Sequence, residues 1–224
     1  TRQHAWQVHV ASMTAGDCGS VTHGAEDIAR LRRAEAQHAA EQIGAVYHCL
    51  EERDLLIFYR QRPLESVTRL LRLVRPRLVL THSPADYMVD HEMTSLLVRA
   101  AVFGAPMPNF FAERGHPPPL AHIPHLYYCD AIEGKDALGR AVEPSFRIDA
   151  SAVMDAKSAM LSAHVSQRDW LLKHHGMDHY VESMRQWSAA RGRQGGVAFA
   201  EGFRQHLGHG YPQDNLLGEL LGVC

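Results

Sequence analysis

Three times in its first half the chain passes from a short apolar or alternating stretch into a longer amphipathic one, and this order constrains the fold more than any other feature. Trp6, Val8 and Val10 alternate with Gln7 and His9, the period-2 pattern of a half-buried strand. The stretch ends in TAGDCGS, where Gly16 and Gly19 make a turn. A helix is predicted from about Glu26 to Ile43, with Ile28, Leu31, Ala39 and Ile43 near one stripe and Gly44 as its C-cap. AVYHCL then reads as a strand, LESVTRLLRLV as a helix stopped by Pro76, RLVLT as a strand and HEMTSLLVRAAVFG as a helix. Strands alternating with helices predict an α/β fold, a Rossmann-like and mostly parallel sheet with helices on both faces.

Beyond residue 105 the rhythm changes. PMPNFFAERGHPPPLAHIPH is too rich in proline for regular structure, while LYYCD and FRIDA read as further strands. One long helix is predicted from Asp155 to Lys173 and another around Tyr180 to Ala190, with the rest of the C-terminal third rich in loops. No repeat or linker divides the 224 residues, so they are expected to form one domain, of which 105–224 is the C-terminal part. A strand this close to residue 1, a threonine, leads us to expect a further N-terminal element ahead of it.

Composition removes several classes of function. A formal net charge of -2 excludes a strongly basic nucleic-acid binder or a polybasic membrane-surface protein. No apolar run approaches the ~20 residues of a membrane span and no signal peptide is visible, so the cytoplasm is the expected compartment. Cys18, Cys49, Cys129 and Cys224 form no CxxC pair, unlike a disulfide scaffold or thiolate zinc site. Homo-oligomerisation stays open. The oddity is histidine, present 16 times, a ligand and proton carrier near neutral pH or a plain bias of composition.

In open parallel sheets ligands bind beyond the carboxyl ends of the strands, where two polar loops of this chain fall. The first, TAGDCGS, offers backbone N–H groups and the carboxylate of Asp17, but neither GxGxxG nor a Walker lysine. The second gathers Thr81, His82, Asp86, Tyr87, Asp90 and His91. A neutral imidazole at His91 suits a divalent metal, with a carboxylate beside it to orient or balance it. The alternative is that Asp90 is an N-cap and His91 a first-turn residue. One histidine does not hold zinc, so His91 needs partners. No GxSxG elbow is present, and Cys49 and Cys129 fall within predicted strands, where inert core cysteines are common, so a serine or cysteine hydrolase is disfavoured. Of the later histidines, His125 precedes a strand, and His164 shares a predicted helical face with Gln167; for both, packing is the competing role.

Taken together, VHVASMTAGDCGS, RRAEAQHAAEQIGA and RPRLVLTHSPADYMVDHEMTS resemble the LmbE-like de-N-acetylases, the superfamily of N-acetylglucosaminyl-phosphatidylinositol de-N-acetylase and of bacterial thiol-sugar deacetylases. The later segments HIPHLYYCD, AHVSQRDWLLKHHGMD and AEGFRQHLGHGYP are similar to a bacterial subgroup. The resemblance implies a single-domain hydrolase that binds Zn2+ or another divalent ion and removes an acetyl group from an N-acetylglucosamine-type or related small N-acyl substrate. His91 matches the last histidine of the family's HPDH-type motif, a metal ligand, and Asp90 the aspartate before it. Val89 replaces the proline, and Met88 stands where a histidine often assists the leaving group. The family's HPDD-type motif, with two further ligands and the base, would precede residue 1. Asp90, Asp86, His164 and His125 are thus the catalytic candidates, and Arg32, Asp17, His82 and Tyr87 those for binding substrate; Arg32 and Glu35 match the family's arginine/glutamate helix. A metal-dependent hydrolase of another bond, an inactive binding or structural paralogue, and a nucleotide-binding Rossmann protein are the rival readings.

Overall fold

A computed structural model describes residues 5–112, 115–175 and 179–224, with the side chains of 174 and 175 left out. Strand β1 (His9–Thr14) leads through the glycine loop into helix α1 (Ala25–Glu41), which returns through a left-handed Gly44 (φ +70°) into β2 (Val46–Glu52). Helix α2 (Gln61–Val74) follows. It stops at Arg75, which takes a left-handed turn (φ +53°) because the residue before Pro76 is disfavoured in the α region. Then come β3 (Leu78–Thr81), α3 (Val89–Gly104), β4 (His125–Cys129) and β5 (Phe146–Asp149). The C-terminal part adds α4 (Met154–Ser162), α5 (Val165–His175), α6 (Tyr180–Gly195), β6 (Ala200–Gln205) and α7 (Leu216–Leu221).

The α/β class read from the sequence holds, but the sheet is divided. β1 pairs in parallel with β2, and a separate sheet runs β3-β4-β6-β5, with β3 parallel to β4 and both partners of β6 antiparallel to it. Among the described residues β1 and β3 each lie at an edge of their sheet, and Val10 and Leu80 are exposed there. The main core lies where α2 packs on α3, with Val67, Leu71, Leu97, Ala101 and Leu126 buried together. Neighbouring tyrosines of β4 point to opposite faces, Tyr128 into this core and Tyr127 into a second one with Phe146, Ile148 and Phe203. Around residues 105–111 the irregular segment is organised by buried Arg72, whose guanidinium donates to the carbonyls of Ala105, Met107, Phe110 and Phe111.

Two elements differ from the sequence reading. The long helix expected over Asp155–Lys173 is two, α4 and α5, broken at Ala163 and His164. A tertiary contact sets the break: the Glu35 carboxylate of α1 accepts from the backbone N–H of Ser166 (2.9 Å) and from its hydroxyl (2.6 Å), satisfying a first-turn donor of α5 from outside the helix. The segment EGFRQ, read as a loop because Gly202 and its charged residues mask any alternation, is strand β6 at the centre of the larger sheet. There Gly202 is required, since a Cβ would lie 2.6 Å from an Asp130 carboxylate oxygen and 2.7 Å from Pro144. No helix among the described residues is long and apolar enough to cross a membrane.

Candidate metal and active site

A cleft of about 540 Å3 opens beside β1. Ala11, Ser12, Met13 and Thr14 all line it. Four consecutive strand residues do not share one face, so the cleft runs along the free edge of β1. Opposite stand His82, directly after β3, and Met88, Asp90, His91 and Thr94 around the start of α3. Asp90 and His91 fall on adjacent positions of the first turn, and Thr94 follows one turn later on the same face. Asp90 does not cap α3; Met88 occupies that position.

His91 is held in one orientation. Its Nδ1–H donates to Asp86 Oδ1 at 2.9 Å, and the same oxygen accepts the Met88 N–H at 3.2 Å. Burial pushes the Asp86 carboxyl up, but the hydrogen bond and charge of His91, the Met88 N–H and His82 together bring it below the ordinary value. Asp86 is therefore ionised at neutral pH and engages Nδ1 of His91, so Nε2 is the ring nitrogen left to meet a metal ion. The His82 ring stacks on His91 with centroids 4.1 Å apart and planes within 3°. His82 is open to the cleft but surrounded by protein, and burial, helped by His91 and opposed by Asp86, pushes its pKa down to about 4. It is a neutral imidazole over the whole physiological range.

This donor set fits a divalent ion. His82, Asp86 and His91 each bring a ligand atom within 4.8 Å of the others, a mixture of nitrogen and oxygen that suits zinc. Asp90 adds an independent sign. One of its oxygens accepts the Leu55 N–H at 2.7 Å, while the other, Oδ1, is buried with no partner. A lone buried carboxylate oxygen in a cleft that His82 and His91 also line requires a cation or a proton.

The contact to Asp90 also explains Leu55, which adopts φ +64°, a left-handed conformation costing a residue of this kind on the order of 1–3 kcal/mol. Its N–H is turned towards the carboxylate, and its side chain stands exposed at the rim. Just before it, Asp54 was missed in the sequence, although a carboxylate beyond the carboxyl end of a parallel strand is the signal to seek. Asp54 lines the cleft and is fully engaged, accepting from the Thr14 hydroxyl and from the Cys18 N–H at 3.2 Å. Asp17, expected to bind substrate, lies outside the lining. Its carboxylate accepts from the Asp54 N–H (2.8 Å) and Arg53 (3.1 Å), so Asp17, Cys18 and Asp54, though close together, form a lock between two loops.

Arg32 does reach the cleft, but as a clamp: its guanidinium donates to the carbonyls of Gly16 (2.8 Å) and Gly19 (2.7 Å) and to the Ser166 hydroxyl (3.4 Å). Tyr87 lies at the rim, edge-on to His91 at 5.4 Å, rather than in the lining. The two later histidines are not brought to the cleft. His164 sits in the break before α5, where burial and Arg32 lower its pKa against the pull of Glu35, whereas Gln167 and Trp170, farther along α5, line the cleft. His125 starts β4, paired with Leu78 at the amino end of β3 and bridged to Asp214 at 3.0 Å, the opposite end from His82.

Residues 1–102 match the family described as PIG-L, GlcNAc-PI de-N-acetylase. Among solved structures, the 4-carboxy-2-hydroxymuconate hydratase GalB of Pseudomonas putida KT2440 is similar with a TM-score of 0.72 at 23% identity, covering 94% of this chain and 87% of its own. N,N'-diacetylchitobiose deacetylase of Pyrococcus horikoshii is similar with a TM-score of 0.73, also at 23% identity, covering 94% of this chain and 78% of its own. A conserved protein of Thermus thermophilus gives 0.70 at 24% identity, with coverages of 90% and 82%. These likenesses concern the fold, and the match to the PIG-L family covers residues 1–102 of the 224.

Proposed function

We propose that the protein is a metal-dependent hydrolase that removes an acetyl group from an N-acetylglucosamine-type or related small N-acyl substrate. The observation that carries this reading is the pairing of a pre-oriented His91 with the unpartnered Asp90 Oδ1 in one cleft. His91 through Nε2, with His82 beside it, would hold the ion, zinc by its donor chemistry. Bound there, the ion supplies charge that acidifies a water molecule and polarises the acyl carbonyl.

The chain's own residues do the rest. Among the described carboxylates that line the cleft, Asp54 has both oxygens engaged and Asp90 keeps one free, so Asp90 Oδ1 takes the proton from the attacking water. The water oxygen bonds to the acyl carbon, the carbon–nitrogen bond breaks, and Asp90 passes its proton to the departing amine. Met88 has no proton to give at the position beside it, so among the described residues Asp90 is the candidate for both tasks. The products are acetate and a free amine.

Assays of acetate release over a panel of N-acetylated sugars test the reading. Turnover is expected to vanish in chelator, return with zinc, and be absent in His91→Ala together with the bound metal. Full turnover by metal-free protein overturns it. Addition of water to a carbon–carbon double bond, the chemistry of the Pseudomonas neighbour, would use the same activated water; turnover of an unsaturated carboxylate without acetate release would replace the hydrolase reading.

A further inference from the structure

The arginine of β6 leaves its own strand to hold the histidine loop. The register pairs Thr81 with Tyr128 and Tyr128 with Arg204, so the three stand in one row across β3, β4 and β6. Two strand spacings, about 10 Å, separate Arg204 from Thr81. The side chain crosses this distance, and its Nη2–H donates to the Ser83 hydroxyl at 2.6 Å. Burial disfavours the guanidinium charge, against the pull of Asp130 and Tyr128. A cation in such a place is held by its contacts rather than by water.

Ser83 is 0% exposed and lies directly after His82, three residues before Asp86. Its hydroxyl donates to the Ala85 carbonyl at 2.6 Å and accepts the Ala85 N–H at 3.2 Å as well as the Arg204 N–H. One O–H and two lone pairs are thereby all used, and the hydroxyl is held from three directions. Pro84 between them has a fixed φ and no N–H to offer. The course of the chain from His82 to Asp86 is thus set by a side-chain hub, not by a ladder or a helix. At the far end the Asp86 N–H donates to Glu92 at 3.1 Å, and the Asp86 carboxylate engages His91 at 2.9 Å. A shift at Ser83 is therefore passed to both imidazoles. Serine alone closes the turn to Ala85; Arg204 adds a link from that turn to β6, which β4 and β5 flank on either side.

We propose that Arg204 is a positioning residue for the metal-holding loop, setting the place of His82 relative to Asp86 and His91 through the Ser83 hydroxyl. The proposal rests on the reading of His82 and His91 as side chains that hold the ion.

The test uses Arg204→Met, Ser83→Ala and the two combined in the intact protein, each checked for folding by circular dichroism. In Arg204→Met the Asp130 carboxylate keeps its bond from Arg191 at 2.6 Å, so no buried anion is left alone. Zinc affinity by chelator competition is expected to fall about 10-fold in either single variant, the lower end of what outer-sphere partners are worth. The double variant should be no weaker than the worse single one, because both remove the same link, whereas independent losses would multiply to about 100-fold. In metal-free protein the long-range proton–nitrogen NMR signals of the His82 and His91 rings should move or broaden, while those of His116, held by Glu65 at 2.7 Å, stay. An arginine that merely supports the sheet would leave those two rings unmoved. Ser83→Ala carries the test if Arg204→Met fails to fold. Wild-type zinc affinity in the folded variants, unmoved His82 and His91 signals, or losses that multiply in the double variant overturns the proposal. A wild type that binds no zinc would sink the metal reading instead, and the ring signals would still decide for or against Arg204.

Discussion

Asp86 gives a direct way to ask whether His91 is a ligand and what holds it ready. Asp86 is 2% exposed, and a single oxygen, Oδ1, takes both the His91 Nδ1–H and the Met88 N–H. In Asp86→Ala both donors lose their acceptor, and the imidazole is free to turn or to move its proton to Nε2. Outer-sphere partners of this kind are worth about 10–100-fold in metal affinity, equivalent to ~1.4–2.7 kcal/mol. Asp86→Asn is the discriminating variant, because an amide oxygen in the place of Oδ1 keeps both hydrogen bonds and removes only the charge. A neutral acceptor is roughly half as strong, so Asn should fall between wild type and Ala, within ~10-fold of wild type. The assay is competitive zinc titration against a chromophoric chelator at pH 7, with circular dichroism to confirm folding. Zinc affinity in folded Asp86→Ala equal to wild type would refute the orienting role. An Asn variant as weak as Ala would instead make the carboxylate itself a ligand.

Two more expectations follow from buried charge. His82 has a folded pKa of about 4 against an ordinary 6.5, so between those values the unfolded chain binds a proton that the folded chain does not. Stability of the metal-free protein should therefore fall as pH drops from 6.5 to 4 and flatten below; His82→Ala should weaken this slope in denaturant titrations, and an unchanged slope would refute the assignment. Arg72→Met keeps an apolar stem but leaves four carbonyls without their buried cation. It should cost about 3 kcal/mol or more by urea unfolding, and a loss under ~1 kcal/mol would show that water replaces the guanidinium.

Periodicity made the first half of the fold legible, because α2 and α3 carry their apolar residues at helical spacing and β3 is a compact aliphatic run bounded by Pro76 and the polar loop. It failed where long-range contacts outweigh local pattern. The Glu35 carboxylate starts α5 from 131 residues away, and β6 is a strand because β4 and β5 flank it, not because EGFRQ alternates. The candidate site follows the same division. His82, Asp86, Asp90 and His91 were visible because one short loop and the helix start after it contain them all. Asp54 and Leu55 were not, since their place depends on how the β2–α2 loop folds back on Asp90. For His164, helical spacing pointed the ring at a face that the helix break removes.

The two sheets also set how the walls of the cleft are joined. Among the described residues the walls belong to different sheets, joined through α2, which rests on β2 and α3, through α3, which rests on β3 and β4, and through α1, which rests on β2, α4 and α5. The α2–α3 contact is aliphatic, Val67 and Leu71 against Leu97 and Ala101, and such contacts resist separation but not small sliding. The Leu55 N–H to Asp90 hydrogen bond ties the same two walls, so a ligand bridging Ser12 and His91 would meet walls already joined by that bond and by apolar packing.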